Sequence, residues 1–429
     1  MVERPEYPVG PSFPGAIAGL VLALTALPGA LTGQIAELLG PHETVTLPLR
    51  GELRSTGRIG GLASDRYGYL YAANQDGGVW RIHPSGEVEL LAEGFYGSSG
   101  NVVTRAGALL QADFNGNRIV HIDRNGTVHP FASEGFDGPV GITVTPGGDA
   151  FVVNYRSNYI SKITLGGTVT EFVRDDRFDG PNGVTTDPAG NLYVVNLGNT
   201  LVLKVTPEGE ISEIARLPGI SNAHVALADG ALYVTQIWSH VVLRVEMDGS
   251  YQVVAGDGTL GFEDGPTGVA TVAYPNGITA VGQSVYINTL RGNMIAGHMG
   301  TIEIRQLHLP SPRRAFVQAY EREGMDGLRA KFELARSLTE APIERVAPAL
   351  YGAARRLIDL GRFEAGLALV EWTMEVDPDG FRGHMEMGNA HSRYGDKNVA
   401  IAHYEQAQTI KPDDENTKLR LEGVRAYRR

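Results

Sequence analysis

Cysteine is absent from all 429 residues, so disulfides, zinc–thiolate centres and thiol nucleophiles are excluded, while the compartment stays open. A basic excess is also lacking: 37 Lys and Arg stand against 49 Asp and Glu, for a formal net charge of −12 and a pI near 5.4. Such a chain has no surplus of cations to neutralise a phosphate backbone, and a nucleic-acid partner is not expected. Long apolar runs are scarce. Residues 14–31, PGAIAGLVLALTALPGAL, carry no charge and come near the minimum length of a bilayer span. The preceding Glu3, Arg4 and Glu6 do not form the basic n-region of a secretory signal, and Pro28 interrupts the run. Residues 1–42 are therefore expected to hold an apolar helix packed on a cytoplasmic protein. A membrane anchor or export signal through 14–31 is the alternative.

What the chain has in plenty is glycine, 55 residues, which suits a fold built from tight turns. The glycines are periodic. A unit of Gly, two apolar residues, a turn, Gly and an alternating strand recurs as GLASDRYGYLYAAN from Gly61, GNVVTRAGALLQAD from Gly100 and GITVTPGGDAFVVN from Gly141. It returns as GVTTDPAGNLYVVN from Gly183, AHVALADGALYVTQ from Ala223 and, shorter by one, GITAVGQSVYINT from Gly277. Each of the first five units continues into an apolar strand carrying a cation (Arg81, His121, Lys162, Lys204, Arg244), a turn glycine and a fourth strand. The cations of this strand are expected on the exposed outer half. Four short strands per period make one propeller blade, and blades bury their faces only by packing around a ring. Six units predict a mainly β, six-bladed β-propeller over 43–308. The sixth unit lacks a fourth strand of its own, because LPSPRR breaks the pattern. The segment ETVTLPL at 43–49 resembles the fourth strands and is expected to complete blade six; an edge strand elsewhere is the alternative.

These units resemble NHL repeats, and GDGTLGFEDGPTGVATVAYPNGI from Gly256 is similar to the blade-linking loop of that family. The resemblance covers roughly residues 55–308. It implies kinship with six-bladed gluconolactonase-like hydrolases and strictosidine-synthase-like enzymes, whereas lyases acting on streptogramins are seven-bladed. Beyond Pro310 the apolar period changes from 2 to 3.6. Residues 312–340 read as a helix pair, and 347–412 resemble two tetratricopeptide repeats, with Pro378 and Pro412 one repeat length apart. In the second repeat Gly388, Ala400, Tyr404 and Ala407 fit the pattern, whereas Val370 breaks it in the first. The domain at 309–429 is thus expected to be an α-helical tetratricopeptide-like unit. Two repeats are fewer than a free-standing array needs, so docking on the propeller, self-association or a protein partner follows.

Propellers bind ligands at the channel mouth, where innermost strands begin and second strands end. The repeat places Asn182, Asn222 and Asn276 just before innermost strands, and Asn74, Asp113, Asn154 and Asn196 at second-strand ends, with Tyr155, Arg156, His224, Trp238 and His240 beside them. Gluconolactonase-like enzymes hold a divalent cation there with a Glu, an Asn and an Asp. Here the amides are present without the carboxylates, and hard cations want carboxylates, so neither a metal nor another cofactor is expected. Proton transfer then falls to His224 or Asp113, and Asn182, Asn222, Asn276, Asn154, Tyr155, Arg156 and Trp238 are the expected substrate contacts. Each has a plainer reading: His224 as a strand residue, the strand-ending asparagines as backbone-bonding turn formers, Trp238 and Tyr155 as inter-blade packing. The expected activity is metal-independent lyase, cyclase or isomerase chemistry of secondary metabolism on a small, neutral or apolar molecule. A non-catalytic scaffold or binding protein is the alternative.

Overall fold

In the computed structural model, residues 39–56, 58–292, 300–337, 343–377 and 380–426 are described. Two compact units divide them: His42–Leu309, and the helices after Leu309 together with the segment before His42. The apolar segment at 14–31 lies outside the described residues, and among those described no helix is long and apolar enough to cross a membrane.

The first unit is a six-bladed β-propeller. Five blades are consecutive four-stranded antiparallel meanders, the first running through Ile59–Ser64, Leu70–Asn74, Gly78–Ile82 and Val88–Glu93. Each innermost strand lies against that of the next blade, and the sixth returns to the first. The core is accordingly six inter-blade layers. Period-2 alternation divides each strand between two of them: Leu70 and Ala72 pack toward blade 6 with Ile302 and Ile304, while Tyr71 and Ala73 pack toward blade 2 with Leu109 and Val120. The same alternation carries Val194 to the layer with Phe151 and Val195 to the layer with Val234.

The sixth blade is a composite. Its own strands are Ile278–Val281, Ser284–Arg291 and Gly300–His308. Its outer strand comes from the other end of the chain: Glu43–Thr46 pairs antiparallel with Gly300–His308, Thr46 opposite Arg305, and Leu53–Ser55 pairs farther along the same strand. Between these two pieces the chain leans on blade 1, where the Arg50 amide donates to the Gly86 carbonyl and the Arg50 carbonyl accepts from the Val88 amide. A buried guanidinium fastens the closure. Arg305, fully buried, donates to the carbonyls of Thr271 (3.0 Å) and Glu263 (2.9 Å) and to the Asp264 carboxylate (2.8 Å). That carboxylate also accepts from the Thr46 amide and hydroxyl, each at 2.9 Å. Three segments far apart in sequence meet at this one ion pair.

One expectation about the third-strand cations needs correction. Arg244 is buried, not exposed, because the Tyr233 hydroxyl accepts from its Nε at 3.2 Å and Glu246 pairs with its guanidinium.

The second unit contains six helices among the described residues: Pro312–Ser337, Ile343–Asp359, Phe363–Met374, Phe381–Tyr394, Lys397–Ile410 and Glu415–Ala426. The first is broken at Gly324, whose φ of 65° no helical residue adopts, giving the expected pair. Successive helices pack as hairpins. Gly388 leaves room for the Tyr404 ring, which a Cβ at that position would meet, and Ala400 and Ala407 are buried beside it.

The closure yields a quantitative expectation. Removing one partner of a buried ion pair strands the other, at a cost of up to 3–5 kcal/mol; Asp264 is itself half-exposed, so water compensates in part. Asp264→Ala should lower the unfolding free energy by about 2–3 kcal/mol, and Thr46→Val by about 1 kcal/mol, as read from urea unfolding. Equal, negligible effects would show that the clasp does not hold the ring.

Candidate functional site

At the end of the ring where second strands finish, five blades repeat one device. The last residue of the second strand turns a polar side chain onto the connector that leads into its own blade. Asn74 Nδ2 donates to the Arg54 carbonyl (2.9 Å), Asn196 Nδ2 to that of Arg177 (2.8 Å) and Gln236 Nε2 to that of Pro218 (2.7 Å). Asp113 Oδ1 accepts from the Tyr96 amide (2.8 Å) and Asn154 Oδ1 from the Asp137 amide (2.9 Å). Connector backbone groups need partners wherever water is kept out, and this position supplies them in every case. These bonds reach 17 to 20 residues back along the chain; Asn74 and Asn154 bond their own hairpins as well, Asn74 Oδ1 accepting from the Gly78 amide at 3.0 Å and Asn154 Nδ2 donating to the Tyr159 carbonyl at 3.3 Å. Asp113 is occupied on its other oxygen as well, by Arg118 Nε at 2.9 Å. It stands in blade 2 and His224 in blade 5, opposite one another in a ring of six, so the two are not brought together.

The amides ahead of the innermost strands lace neighbouring blades. Asn182 Nδ2 donates to the Ala223 carbonyl of the next blade (2.6 Å), and Asn276 Nδ2 to that of Ile59 (2.5 Å). Asn222 is not their equivalent, which corrects the sequence reading. In blade 4 the register is fixed by the pairs Val184↔Val194 and Thr185↔Tyr193; in blade 5 the matching pairs are Val225↔Val234 and Ala226↔Tyr233, so Gly183 matches His224. Blade 5 is one residue shorter because a two-residue turn at Asp229 and Gly230, both with positive φ, replaces the longer hairpin of blades 1 to 4. Aligning the units on the turn glycine therefore shifts everything before it by one. Ala223 takes the Asn182 position, and Asn222 sits opposite Gln236, whose Nε2 donates to its Oδ1 at 2.8 Å.

The corrected register gives His224 a distinctive place. The innermost strands carry Gly61, Gly100, Gly141, Gly183 and Gly277 at one level of the ring, and His224 fills the sixth position. The glycines are required by close approach: a Cβ on Gly183 would lie 2.6 Å from the His224 Cα, and one on Gly277 2.5 Å from the Leu62 nitrogen. His224 is buried, and burial pushes its imidazole down to about 4, so it is uncharged near neutral pH. Its backbone amide donates to Thr235 Oγ1 at 3.1 Å.

The hairpins between second and third strands rim this end. In blades 2 and 3 they bring together Phe114 and Tyr155, edge to face at 6.0 Å, with the Arg156 guanidinium 4.4 Å over the Phe114 ring and 2.7 Å from Asn115 Oδ1. In blades 5 and 6 the exposed Trp238 meets Tyr274 edge-on at 5.7 Å, and His240 meets the same ring at 4.8 Å. In the sequence His240 is only a neighbour of the channel-mouth positions, yet it carries a signal. It closes its hairpin with φ 51°, as Asn117 and Asn158 do at 46° and 55°. Those asparagines accept from the Gly138 and Gly180 amides (2.8 and 2.9 Å); His240 Nδ1 accepts from the Tyr274 amide at 3.2 Å. Accepting at Nδ1 puts the proton of the neutral ring on Nε2. Partial burial holds its pKa below the ordinary value.

These residues do not fit a divalent cation. Asn182 and Asn276 donate through Nδ2 to backbone carbonyls and could offer a cation only a neutral amide oxygen each, Asn222 is displaced, and no three His, Asp or Glu side chains converge among the described residues. A hard cation needs carboxylate oxygens that this arrangement does not supply.

Residues 87–315 match the virginiamycin B lyase family. The chain belongs to that family. No curated protein matches this sequence. Among solved structures, the chain is similar to a catalytically inactive virginiamycin B lyase from Staphylococcus aureus with quinupristin, at 20% identity, 61% of this chain, 83% of that one and a TM-score of 0.44. It is also similar to a protein of unknown function from Bacteroides thetaiotaomicron (15%, 62% and 76%, 0.51) and a gluconolactonase from Xanthomonas campestris (16%, 66% and 93%, 0.48). At such identities the likeness is one of fold.

Within this member of the virginiamycin B lyase family, the His224 environment predicts a pH effect. Its folded pKa is depressed below the unfolded value, so its contribution is full above about pH 6.5 and is lost as pH falls toward 4. His224→Gly restores the glycine of the other five blades and removes that titration. Between pH 7 and pH 5 the wild type should lose about 2 kcal/mol more unfolding free energy than the variant, measured by urea unfolding at both values. Parallel losses would mean that His224 is not held neutral.

Proposed function

We propose that this propeller is a metal-independent enzyme of lyase, cyclase or isomerase type, acting on a small, largely apolar or neutral organic molecule at the blade 5–6 side of the channel mouth. The observation that supports it is His240. A hairpin in this position needs only an acceptor for the next connector's amide, and asparagine provides one in blades 2 and 3. Blade 5 meets that need with an imidazole, which adds a ring nitrogen carrying a proton beside the exposed Trp238. In this reading Trp238 and Tyr274 take the apolar body of the substrate. His240 Nε2–H hydrogen-bonds a carbonyl or departing oxygen, as a neutral imidazole can, and the uncharged His224 of the same blade takes the proton that a substrate carbon gives up and returns it to the atom left bearing the charge. Asn182, Asn276, Asn154, Tyr155 and Arg156 shape the rest of the mouth. Membership of a lyase family favours this reading over a lactonase, and the absence of a convergent carboxylate set among the described residues agrees with it.

A second reading, a binding or scaffold protein with the tetratricopeptide-like helices as the surface for a partner or a second copy, is favoured by the engagement of most mouth amides in backbone bonds.

His240→Asn separates the two. Asparagine tolerates the left-handed backbone and keeps the staple, so the melting temperature should stay within a few degrees, whereas His240→Ala should cost about 1–2 kcal/mol from strain and the lost bond. Binding of neutral cyclic metabolites, and of quinupristin for comparison, is followed by thermal shift, and turnover by chromatography, with calcium or with chelator. Turnover that survives chelator and falls at least 100-fold in His240→Asn is the expected result. Turnover or stabilisation that depends on calcium would overturn the metal-free mechanism, and silence toward every compound would leave the scaffold reading.

A further inference from the structure

A deep cleft of the propeller lies at the other end of the ring. There the hairpins joining first to second and third to fourth strands of blades 1 and 2 enclose a cleft of ≈ 920 Å³. Five arginines line it, Arg50, Arg66, Arg81, Arg105 and Arg124, against three carboxylates, Asp65, Glu87 and Glu89, in a chain whose net charge is −12.

The charges are not equally free. Asp65 is spent on its own turn, accepting from the amides of Tyr67 (2.9 Å) and Tyr69 (3.0 Å). Glu89 is paired with Arg81, whose guanidinium also donates to the Arg124 carbonyl at 2.7 Å. Arg66 is folded over the Tyr67 ring and donates to its hydroxyl at 2.7 Å. What remains are the guanidiniums of Arg50, Arg105 and Arg124, for which no side-chain partner occurs among the described residues, against the single carboxylate of Glu87. Arg81, fixed in place by Glu89 and the Arg124 backbone, holds the cleft wall steady. Tyr67, Tyr69 and Tyr71 supply an aromatic wall, with His83 edge-on to Tyr69 at 4.9 Å.

Guanidiniums recognise carboxylate and phosphate groups through paired N–H donors, and tyrosine faces take planar apolar groups. The volume suits a small organic ligand. We propose that this cleft binds a small organic anion, its carboxylate or phosphate group held by Arg50, Arg105 and Arg124 and its planar portion laid against the tyrosines. The Arg50 contribution ties the site to ring closure, because Arg50 belongs to the segment between the two outer pieces of blade six and is held to blade 1 by backbone bonds. This site is separate from the mouth and does not depend on the activity proposed there.

The test is calorimetric titration of the full chain with phenyl phosphate, benzoate and inorganic phosphate at low and high salt. Phenyl phosphate or benzoate should bind saturably at one site per chain, with affinity falling as salt rises, and whichever binds more tightly identifies the acidic group. The double variant Arg105→Ala/Arg124→Ala, which removes two solvent-facing side chains without bonded partners, should weaken binding at least 10-fold, while Arg216→Ala on a distant outer strand and His240→Asn should leave it unchanged. Tyr67→Ala should weaken the aromatic probes but not inorganic phosphate. No saturable binding of any probe, or binding indifferent to the double variant, would overturn the site. Inorganic phosphate binding as tightly as phenyl phosphate would overturn the role of the tyrosines.

Discussion

The Arg305 guanidinium is where a linear repeat becomes a ring. A stack of blades exposes one apolar face at each end until first and last meet, and the layer between blades 6 and 1, with Leu53, Ile59, Leu62, Leu290, Ile302 and Ile304, is as apolar as the other five. Apolar burial is non-directional, so it cannot by itself select which segment fills the outer place of blade six. The polar set does: a buried cation fixed on two carbonyls and the Asp264 carboxylate leaves that carboxylate presenting acceptors that only a backbone amide and hydroxyl at Thr46 satisfy. Register follows, since a shift of one residue would turn Thr44 and its neighbours to the wrong face.

A closed ring also explains why the repeat is informative where it fails. Positions that maintain the frame recur because every blade faces the same constraint: glycine where two backbones nearly touch, an amide or carboxylate where a connector must be stapled. Blade 5 departs twice, with His224 in the glycine row and His240 in the hairpin position held by asparagine in blades 2 and 3. Each histidine still meets the local demand, His240 by offering Nδ1 to an amide. The frame therefore does not require the imidazoles; it tolerates them, and their chemistry is what distinguishes this blade from the rest.

The six-bladed architecture was legible because six units share a pattern with a clear period, and the composite sixth blade because its missing strand had a look-alike ahead of Gly61. The site was legible in part. Sequence spacing located the right loops but misplaced Asn222, since a one-residue shortening of a hairpin is invisible to an alignment anchored on Gly230. It also could not tell which amides are consumed: Asn154 and Asn182 look alike as letters, yet one staples a connector and the other laces two blades. The arginine cleft was hidden for a different reason. Its members come from five separated segments, and the repeat suggests only that third-strand cations lie outward, not that Arg81 is pinned while Arg105 and Arg124 are left free.

The two ends of the ring thus differ in kind. On the blade 5–6 side of the mouth, aromatic and imidazole groups stand over strands whose polar atoms are largely committed, a setting in which a charged ligand would lose its hydration without finding a counter-charge. At the far end, uncommitted guanidiniums offer that counter-charge. Family membership accounts for the propeller scaffold. What each end can bind is set by the side chains that the frame itself does not need, and those differ from one end to the other.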